Sequence, residues 1–174
     1  MSTKRTLAIA AVSLIVAAVA SAAFAVTRST QSALASAKQA IDPYMNVSNA
    51  TAAGYAEFRD AKHVACIAQP GAGGMGIHYV NLALVKDPRI DPRRPEALVY
   101  WRSGKKLQLG AAEYIVFASA WKKSAPPELF GRTFDYNPVG NRFGLPAFWS
   151  LHAWLWKVNP TGVAMAWNPR VTCR

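Results

Sequence analysis

The stretch ALVYWRSGKKLQLGAAEYIVF (97–117) decides the fold that the sequence predicts. It contains two runs rich in β-branched and aromatic residues, ALVYW (97–101) and KLQLGAAEYIVF (106–117). A polar link with one glycine, Arg102-Ser103-Gly104-Lys105, joins them. Two such runs around a short glycine-containing link are typical of a β-hairpin. We therefore place a hairpin at the centre of the fold.

Runs of similar composition occur on both sides of this hairpin, separated by glycine and proline turns, which is the usual pattern of short strands. The predicted strands are 63–68, 76–85, 96–102, 106–117 and 148–157, with a sixth near 162–167. A turn at 159–162 folds the aromatic strand back on the segment that ends at Cys173. The segment 118–147 is rich in proline and glycine, and we expect mainly a long ordered loop there.

Helical signals lie before the first strand. Asp42 as N-cap, Pro43 at the first helical position and Gly54 at the C-terminal end predict a helix over 43–53. The preceding segment, 26–41, is rich in alanine and serine with helical spacing but little apolar mass. We expect that segment to be a peripheral helix.

The two cysteines, Cys66 and Cys173, predict one disulfide bond in an oxidising compartment. A reactive thiol or a metal-binding thiolate pair is the alternative, but the CxxC spacing that would support it is missing. The expected fold class is α+β, with an N-terminal helix packed on a mostly antiparallel β-sheet or small β-barrel. Residues 42–174 are expected to form this single domain.

Residues 1–25 have the pattern of a signal peptide. The basic pair Lys4-Arg5 precedes an apolar run at 7–20, and Ala23-Phe24-Ala25 supplies a cleavage pattern. The apolar run is shorter than the roughly 20 residues of a membrane span. We expect an exported protein, periplasmic or extracellular, with no transmembrane helix in the mature chain.

The chain is basic, with 20 lysines and arginines against 9 acidic residues and a net charge of +11. Loss of Lys4 and Arg5 on cleavage would leave about +9, which favours an anionic envelope component as partner. The basic residues are scattered, and no zinc finger or RNA-binding aromatic motif accompanies them. We therefore expect no specific binding of nucleic acid.

Two of the three histidines and one acidic residue stand out by the residues around them. His78 lies in GAGGMGIHYVN (71–81), His152 lies in FWSLHAWLWKVNP (148–160), and Glu113 interrupts an apolar strand. If the three side chains converge on one face of the sheet, they form a set of two histidines and one carboxylate. Such a set suits iron, zinc, manganese or copper and leaves coordination positions open. If the histidines lie on opposite faces, the hypothesis fails.

Strand alternation places His152 with Trp154 and Trp156 on one face, so these rings are predicted to line the same binding pocket. Met75 could add a thioether ligand for copper. The alternative interpretation is a set of hydrogen-bonded side chains packed near tryptophans. Ser150 would share the face of His152, but no nucleophile elbow surrounds it, so the catalytic residues stay unknown.

Several segments resemble a family of small, uncharacterised exported bacterial proteins that share the GMGIHYVN and LHAWLWKVNP blocks. The segments that carry the resemblance are GYAEF (54–58), CIAQPGAGGMGIHYVN (66–81), PEALVY (95–100), LGAAEYIVF (109–117), LHAWLWKVNPTG (151–162) and WNPRVTC (167–173). The resemblance implies a single exported domain. It implies no activity and supplies no catalytic residue.

The sequence therefore predicts an exported protein that binds a small ligand or a metal, with one transition-metal ion as its tentative cofactor. One alternative is a mononuclear metal-dependent hydrolase or oxygenase that uses His78, Glu113 and His152. Another is a structural cell-envelope protein held by its basic surface, which would need none of these residues. If these three side chains meet in the folded protein, they form a candidate binding site. If they do not meet, the hypothesis of such a site fails.

Overall fold

The hairpin predicted around Gly104 is present at the centre of the sheet. In the computed structural model, which describes residues 28–173, seven strands form one antiparallel sheet and two more form a small hairpin. The elements in chain order are α1 (28–41), a 3-10 turn (Asp42–Met45), α2 (Val47–Ala52), β1 (Ala56–Glu57), β2 (Cys66–Gln69), β3 (Gly73–Val80), α3 (Leu82–Val85), β4 (Ala97–Ser103), β5 (Lys106–Phe117), β6 (Glu128–Leu129), β7 (Arg132–Thr133), β8 (Asp135–Asn137) and β9 (Phe148–Ala153).

The strand order is β1-β3-β4-β5-β9-β8, and every neighbouring pair is antiparallel. Strand β2 pairs with the same edge of β3 as β1 does. Because β8 lies at one edge and β1 and β2 lie at the other, the sheet stays open. The predicted α+β class is confirmed, in the form of a helix on an antiparallel sheet.

One face of the sheet carries the main core. Large side chains of the central strands alternate onto this face, and α1 and α2 cover it with small or aliphatic residues. The fully buried members on the sheet are Leu98, Tyr100, Ala112, Tyr114, Leu151 and Ala153, and those on the helices are Ala37, Ile41 and Ala50. Helix α1 is thus part of the core through Ala37 and Ile41.

The opposite face of the sheet, here called the site face, carries smaller side chains and two smaller clusters. One cluster joins Val99 and Ala111 to Trp154 and to Val171 near the C-terminal end of the described chain. The other joins strand residues to side chains of the 118–147 segment, and it contains Ala97, Ile115, Phe148, Phe143 and Leu145. The candidate residues lie between these two clusters.

The predicted strand 76–85 is wrong in its second half. Strand β3 ends at Val80, and a short helix, α3, follows it. The Asn81 side chain accepts hydrogen bonds from the backbone N–H groups of Ala83 and Leu84, and thereby caps this helix. An asparagine inside an apolar run was therefore the signal for the end of the strand.

The predicted strand 148–157 is also too long, since β9 ends at Ala153. Beyond it the backbone N–H of Trp154 donates to Val163 O, and that of Trp156 donates to Gly110 O. The segment 162–167 contains turns and no named strand among the described residues. The predicted turn at 159–162 is present, with a Gly162 N–H bond to Asn159 O of 3.1 Å.

The helix predicted over 43–53 is split. Asn46 is extended, with φ −90° and ψ 114°, and its side chain caps α2 instead of Asp42. Asp42 accepts hydrogen bonds from Lys38 Nζ at 2.9 Å and from Trp156 Nε1 at 2.7 Å. The left-handed Gly54, at φ +89°, follows the helix as predicted.

The predicted disulfide joins Cys66 on β2 to Cys173, across a sequence separation of 107. The predicted signal peptide, 1–25, lies outside the described residues. Among the helices of residues 28–173, none combines the length and the apolar character that crossing a membrane requires.

Candidate functional site

His78, Glu113 and His152 meet on the site face. They come from β3, β5 and β9, and their exposed fractions are only 4%, 6% and 2%. One potential ligand atom from each lies within 4.8 Å of those from the other two. The two histidines therefore do not lie on opposite faces, and the convergence that the sequence predicted is present.

The strand register explains how residues far apart in the chain come together. Glu113 pairs directly with His152 across β5 and β9, and Ala97 of β4 pairs with Glu113 on its other side. His78 pairs with Val99, so β4 separates it from β5. Alternate strands lie about 10 Å apart. Because β4 presents only Ala97 and Val99 here, the His78 ring can extend across β4 to Glu113.

Two of the three short distances within the cluster equal the spacing of metal ligands. His78 Nε2 lies 3.3 Å from Glu113 Oε2 and 3.4 Å from His152 Nε2. His152 Nδ1 lies 3.7 Å from Glu113 Oε1. A tetrahedral ion with bonds of about 2.0–2.1 Å holds its ligand atoms about 3.3–3.4 Å apart. The His78 nitrogen thus has the spacing to both neighbours that such an ion requires.

Two further polar side chains orient Glu113. The Asn137 amide donates to the Ser150 hydroxyl oxygen at 3.3 Å, and Ser150 lies close enough to Glu113 to oppose the rise in the pKa of its carboxyl. Ser150 lies opposite Ile115 on β9 and is itself buried. Hydrogen bonds of this kind fix the orientation of ligating carboxylates in metal sites. The sequence placed Ser150 on this face, but nothing in it pointed to Asn137.

Burial governs the electrostatics of the cluster. Desolvation raises the pKa of Glu113 to about 8, and the Ser150 hydrogen bond opposes that shift. Desolvation also lowers the pKa of His78 to about 4 and holds the pKa of His152 well below its usual range. At neutral pH the imidazoles are therefore unprotonated, as metal ligation requires, and Glu113 releases a proton when it binds an ion.

One atom of the cluster has no hydrogen-bond partner. His78 Nδ1 is buried without one among the described residues. A histidine that binds a metal through one ring nitrogen normally donates the other N–H to an acceptor. An acceptor for His78 would therefore have to come from a bound molecule.

A largely apolar cavity of about 70 Å³ adjoins the cluster. His78 and Glu113 are its only polar lining residues among the described chain, and the remaining walls are aromatic or aliphatic. These walls are Phe58, Val80, Leu82, Val85, Ile115, Phe117, Phe143, Leu145 and Phe148. A partly open apolar cleft with a few polar groups at one place is the usual character of a small-molecule site.

An ion pair holds one wall of the cavity in place. Arg142 donates from Nη2 to Asp60 Oδ2 at 2.7 Å and from Nε to the same oxygen at 3.2 Å. Asp60 also accepts backbone hydrogen bonds from Lys62 and Val64. The Phe143 and Leu145 walls follow Arg142 directly, so the pair ties the 118–147 segment to the loop after β1. Sequence reasoning missed this wall because it predicted mainly a long ordered loop there.

Neither of the two tryptophans predicted to line the pocket lines the cavity, although one of them contacts the cluster. Trp154 stacks on the His152 ring, with centroids 6.3 Å apart, but packs with Val99 in the other site-face cluster. Trp156 packs against the main core and binds Asp42. Neither is among the described residues that line the cavity. Met75 lies on β3 near a register shift with β2, and its role as a ligand stays a prediction.

A second buried acid, Glu96, lies just before β4 and is 2% exposed. Its carboxylate accepts a hydrogen bond from Ile115 N at 2.8 Å, while desolvation raises its pKa to about 8. The folded protein therefore keeps a proton that the unfolded chain releases above about pH 4.5. This contribution to stability is complete below pH 4.5 and is lost progressively as the pH rises toward 8.

We expect Glu96→Gln, which keeps the hydrogen bond to Ile115 N, to differ little from the wild type in stability at pH 5. At pH 8 it should be more stable by roughly 2–4 kcal/mol. Urea unfolding at both pH values measures this change, with the exposed Glu128→Gln as control. Parallel pH profiles for Glu96→Gln and wild type would refute the assignment.

No family model, curated protein or solved structure matches this chain. The candidate site is therefore interpreted from its own geometry, and the family resemblance stays a prediction.

Proposed function

We propose that this protein binds one divalent transition-metal ion through His78, Glu113 and His152. The observation that carries the proposal is the spacing of the three side chains, with His78 Nε2 at 3.3 Å and 3.4 Å from its two neighbours. Two unprotonated imidazoles and one carboxylate suit zinc, iron or manganese and leave at least one position open. The Ser150 contact to Glu113 supports the same arrangement.

The cavity favours a binding role over hydrolysis. A metal-dependent hydrolase needs a group that moves protons beside the metal. Among the described residues that line the cavity, only His78 and Glu113 are polar, and both serve as ligands. We therefore favour a protein that holds a metal ion and presents its open position to a small, mostly apolar molecule. Export to an oxidising compartment remains part of the proposal, and the disulfide is compatible with it.

Isothermal titration of the purified protein with Zn²⁺ tests the proposal. We expect one ion per chain, bound at micromolar concentration or below, with more protons released as the buffer pH falls from 8 to 6. His152→Ala should lose this stoichiometric binding. His63→Asn is the matched control, because His63 is exposed and its φ of +61° is one that asparagine tolerates.

Zn²⁺ binding of wild-type strength in His152→Ala, with circular dichroism that shows a folded protein, would contradict the proposal. The absence of stoichiometric Zn²⁺, Fe²⁺ and Mn²⁺ binding by the wild type would do the same. The three side chains would then be a buried hydrogen-bonded cluster.

A further inference from the structure

The cavity and the metal cluster together restrict the chemistry of a ligand. Of the described residues that line the cavity, all except His78 and Glu113 have hydrocarbon side chains, and four of them are phenylalanines. The polar end of the cavity is thus confined to the metal-binding residues. A molecule that fits must have one polar end and an otherwise apolar body.

The charge of the loaded site identifies the polar end. A dication bound by two unprotonated histidines and the Glu113 carboxylate leaves one net positive charge. All three ligands are at least nine-tenths buried, so this charge lies among apolar side chains with little contact to water. An unbalanced buried charge is costly, and a ligand with one negative charge neutralises it.

We propose that the cavity binds a small monocarboxylate with a short hydrocarbon tail, whose carboxylate occupies the open position of the metal and whose tail packs among the phenylalanines. This inference rests on the proposed metal site. The cavity volume of about 70 Å³ sets the length of the tail. One water needs roughly 10–15 Å³ of such space, so the cavity has room for about five water-sized groups. Butyrate is of this size, whereas most of the octanoate tail would lie outside the cavity.

Titration of the Zn²⁺-loaded protein with acetate, propionate, butyrate and octanoate tests the inference. Each added methylene should tighten binding about fourfold up to butyrate, as burial of a methylene group requires. Octanoate should gain nothing further. The neutral probe 1-butanol should bind at least tenfold more weakly than butyrate, and the metal-free protein should bind butyrate at least tenfold more weakly than the loaded one.

Two variants test the location. Val80→Phe fills the cavity and should weaken butyrate binding at least tenfold, while Zn²⁺ binding stays intact. Leu82 is 65% exposed and lines the cavity, so Leu82→Trp should obstruct it without a risk to folding. Val139→Phe, at a 77% exposed position outside the cavity lining, is the control and should bind butyrate as the wild type does.

The outcomes separate the two proposals. Stoichiometric Zn²⁺ binding with carboxylate affinity that does not depend on chain length, or that persists in both variants, would overturn the carboxylate assignment alone. Equal binding of 1-butanol and butyrate, or equal binding of butyrate with and without Zn²⁺, would also overturn it. Absence of Zn²⁺ binding would overturn the metal site itself, and the carboxylate assignment with it.

Discussion

Replacement of Glu113 by glutamine weakens Zn²⁺ binding by about 1000-fold, or about 4 kcal/mol, if the cluster is a metal site. Glutamine has the same shape but supplies a neutral amide where the metal requires an anionic oxygen. Competition with a chromophoric chelator measures the affinity, and Glu128→Gln, which removes an exposed acid on β6, is the control. A Glu113→Gln variant with wild-type Zn²⁺ affinity would contradict the account.

The same variant is expected to leave the metal-free protein at least as stable as the wild type. Burial raises the pKa of Glu113 to about 8, so the folded state holds a proton that the unfolded chain releases at neutral pH. The stabilisation that this proton provides is complete below pH 4.5 and declines as the pH rises toward 8. Because glutamine does not ionise, the variant should not show that decline. Urea unfolding in the presence of a chelator measures the difference. A large loss of stability with retained Zn²⁺ binding would identify Glu113 as a structural residue.

Replacement of both Cys66 and Cys173 by serine is expected to lower the free energy of unfolding by about 4–5 kcal/mol. The bond closes a loop with a sequence separation of 107, and the chain-entropy model assigns about that stabilisation to so long a loop. Guanidinium unfolding of the double variant and of the oxidised wild type measures it. The reduced wild type should match the double variant.

The double variant could instead lose less than about 1 kcal/mol of unfolding free energy relative to the oxidised wild type. The other contacts of the C-terminal segment would then be enough to hold it in place without the disulfide. Those contacts are specific. Asn168 exchanges two backbone hydrogen bonds with Gly74, at 3.0 Å and 3.1 Å. Val171 is buried in the site-face cluster that contains Val99 and Trp154. Gly74 and Gly73 lie so close to this segment that a Cβ on either would meet its backbone atoms within 3 Å.

The central hairpin could be predicted because its information is local. Its two runs are adjacent in the chain, and the glycine turn between them fixes their pairing. The disulfide could be predicted because the chain offers only two cysteines. The lengths of the strands were harder to predict from the sequence. An Asn81 side chain that caps a helix ended β3, and backbone bonds to Gly110 and Val163 replaced ladder pairing after Ala153.

The candidate site was predictable in its members but not in its geometry. Glu113 and His152 meet because β5 and β9 pair in one particular register, although the long 118–147 segment separates them along the chain. No local pattern encodes that register. The extended alternation that placed Trp156 beside His152 failed because β9 ends three residues earlier.

The apolar walls of the cavity could not be foreseen. Phe143 and Leu145 are isolated apolar residues in a stretch rich in proline and glycine, where composition indicates only a loop. Their position over His78 depends on the Asp60–Arg142 ion pair, which joins residues 82 apart in the chain.

Anomalous X-ray scattering at the zinc absorption edge, from crystals grown with one equivalent of Zn²⁺, tests the central claim most directly. The account predicts a single strong peak within bonding distance, about 2.0–2.2 Å, of His78, Glu113 and His152. It predicts a weaker peak at that position in Glu113→Gln crystals prepared in the same way. A wild-type crystal with its zinc peak elsewhere, and the three side chains in direct contact with one another, would contradict the account.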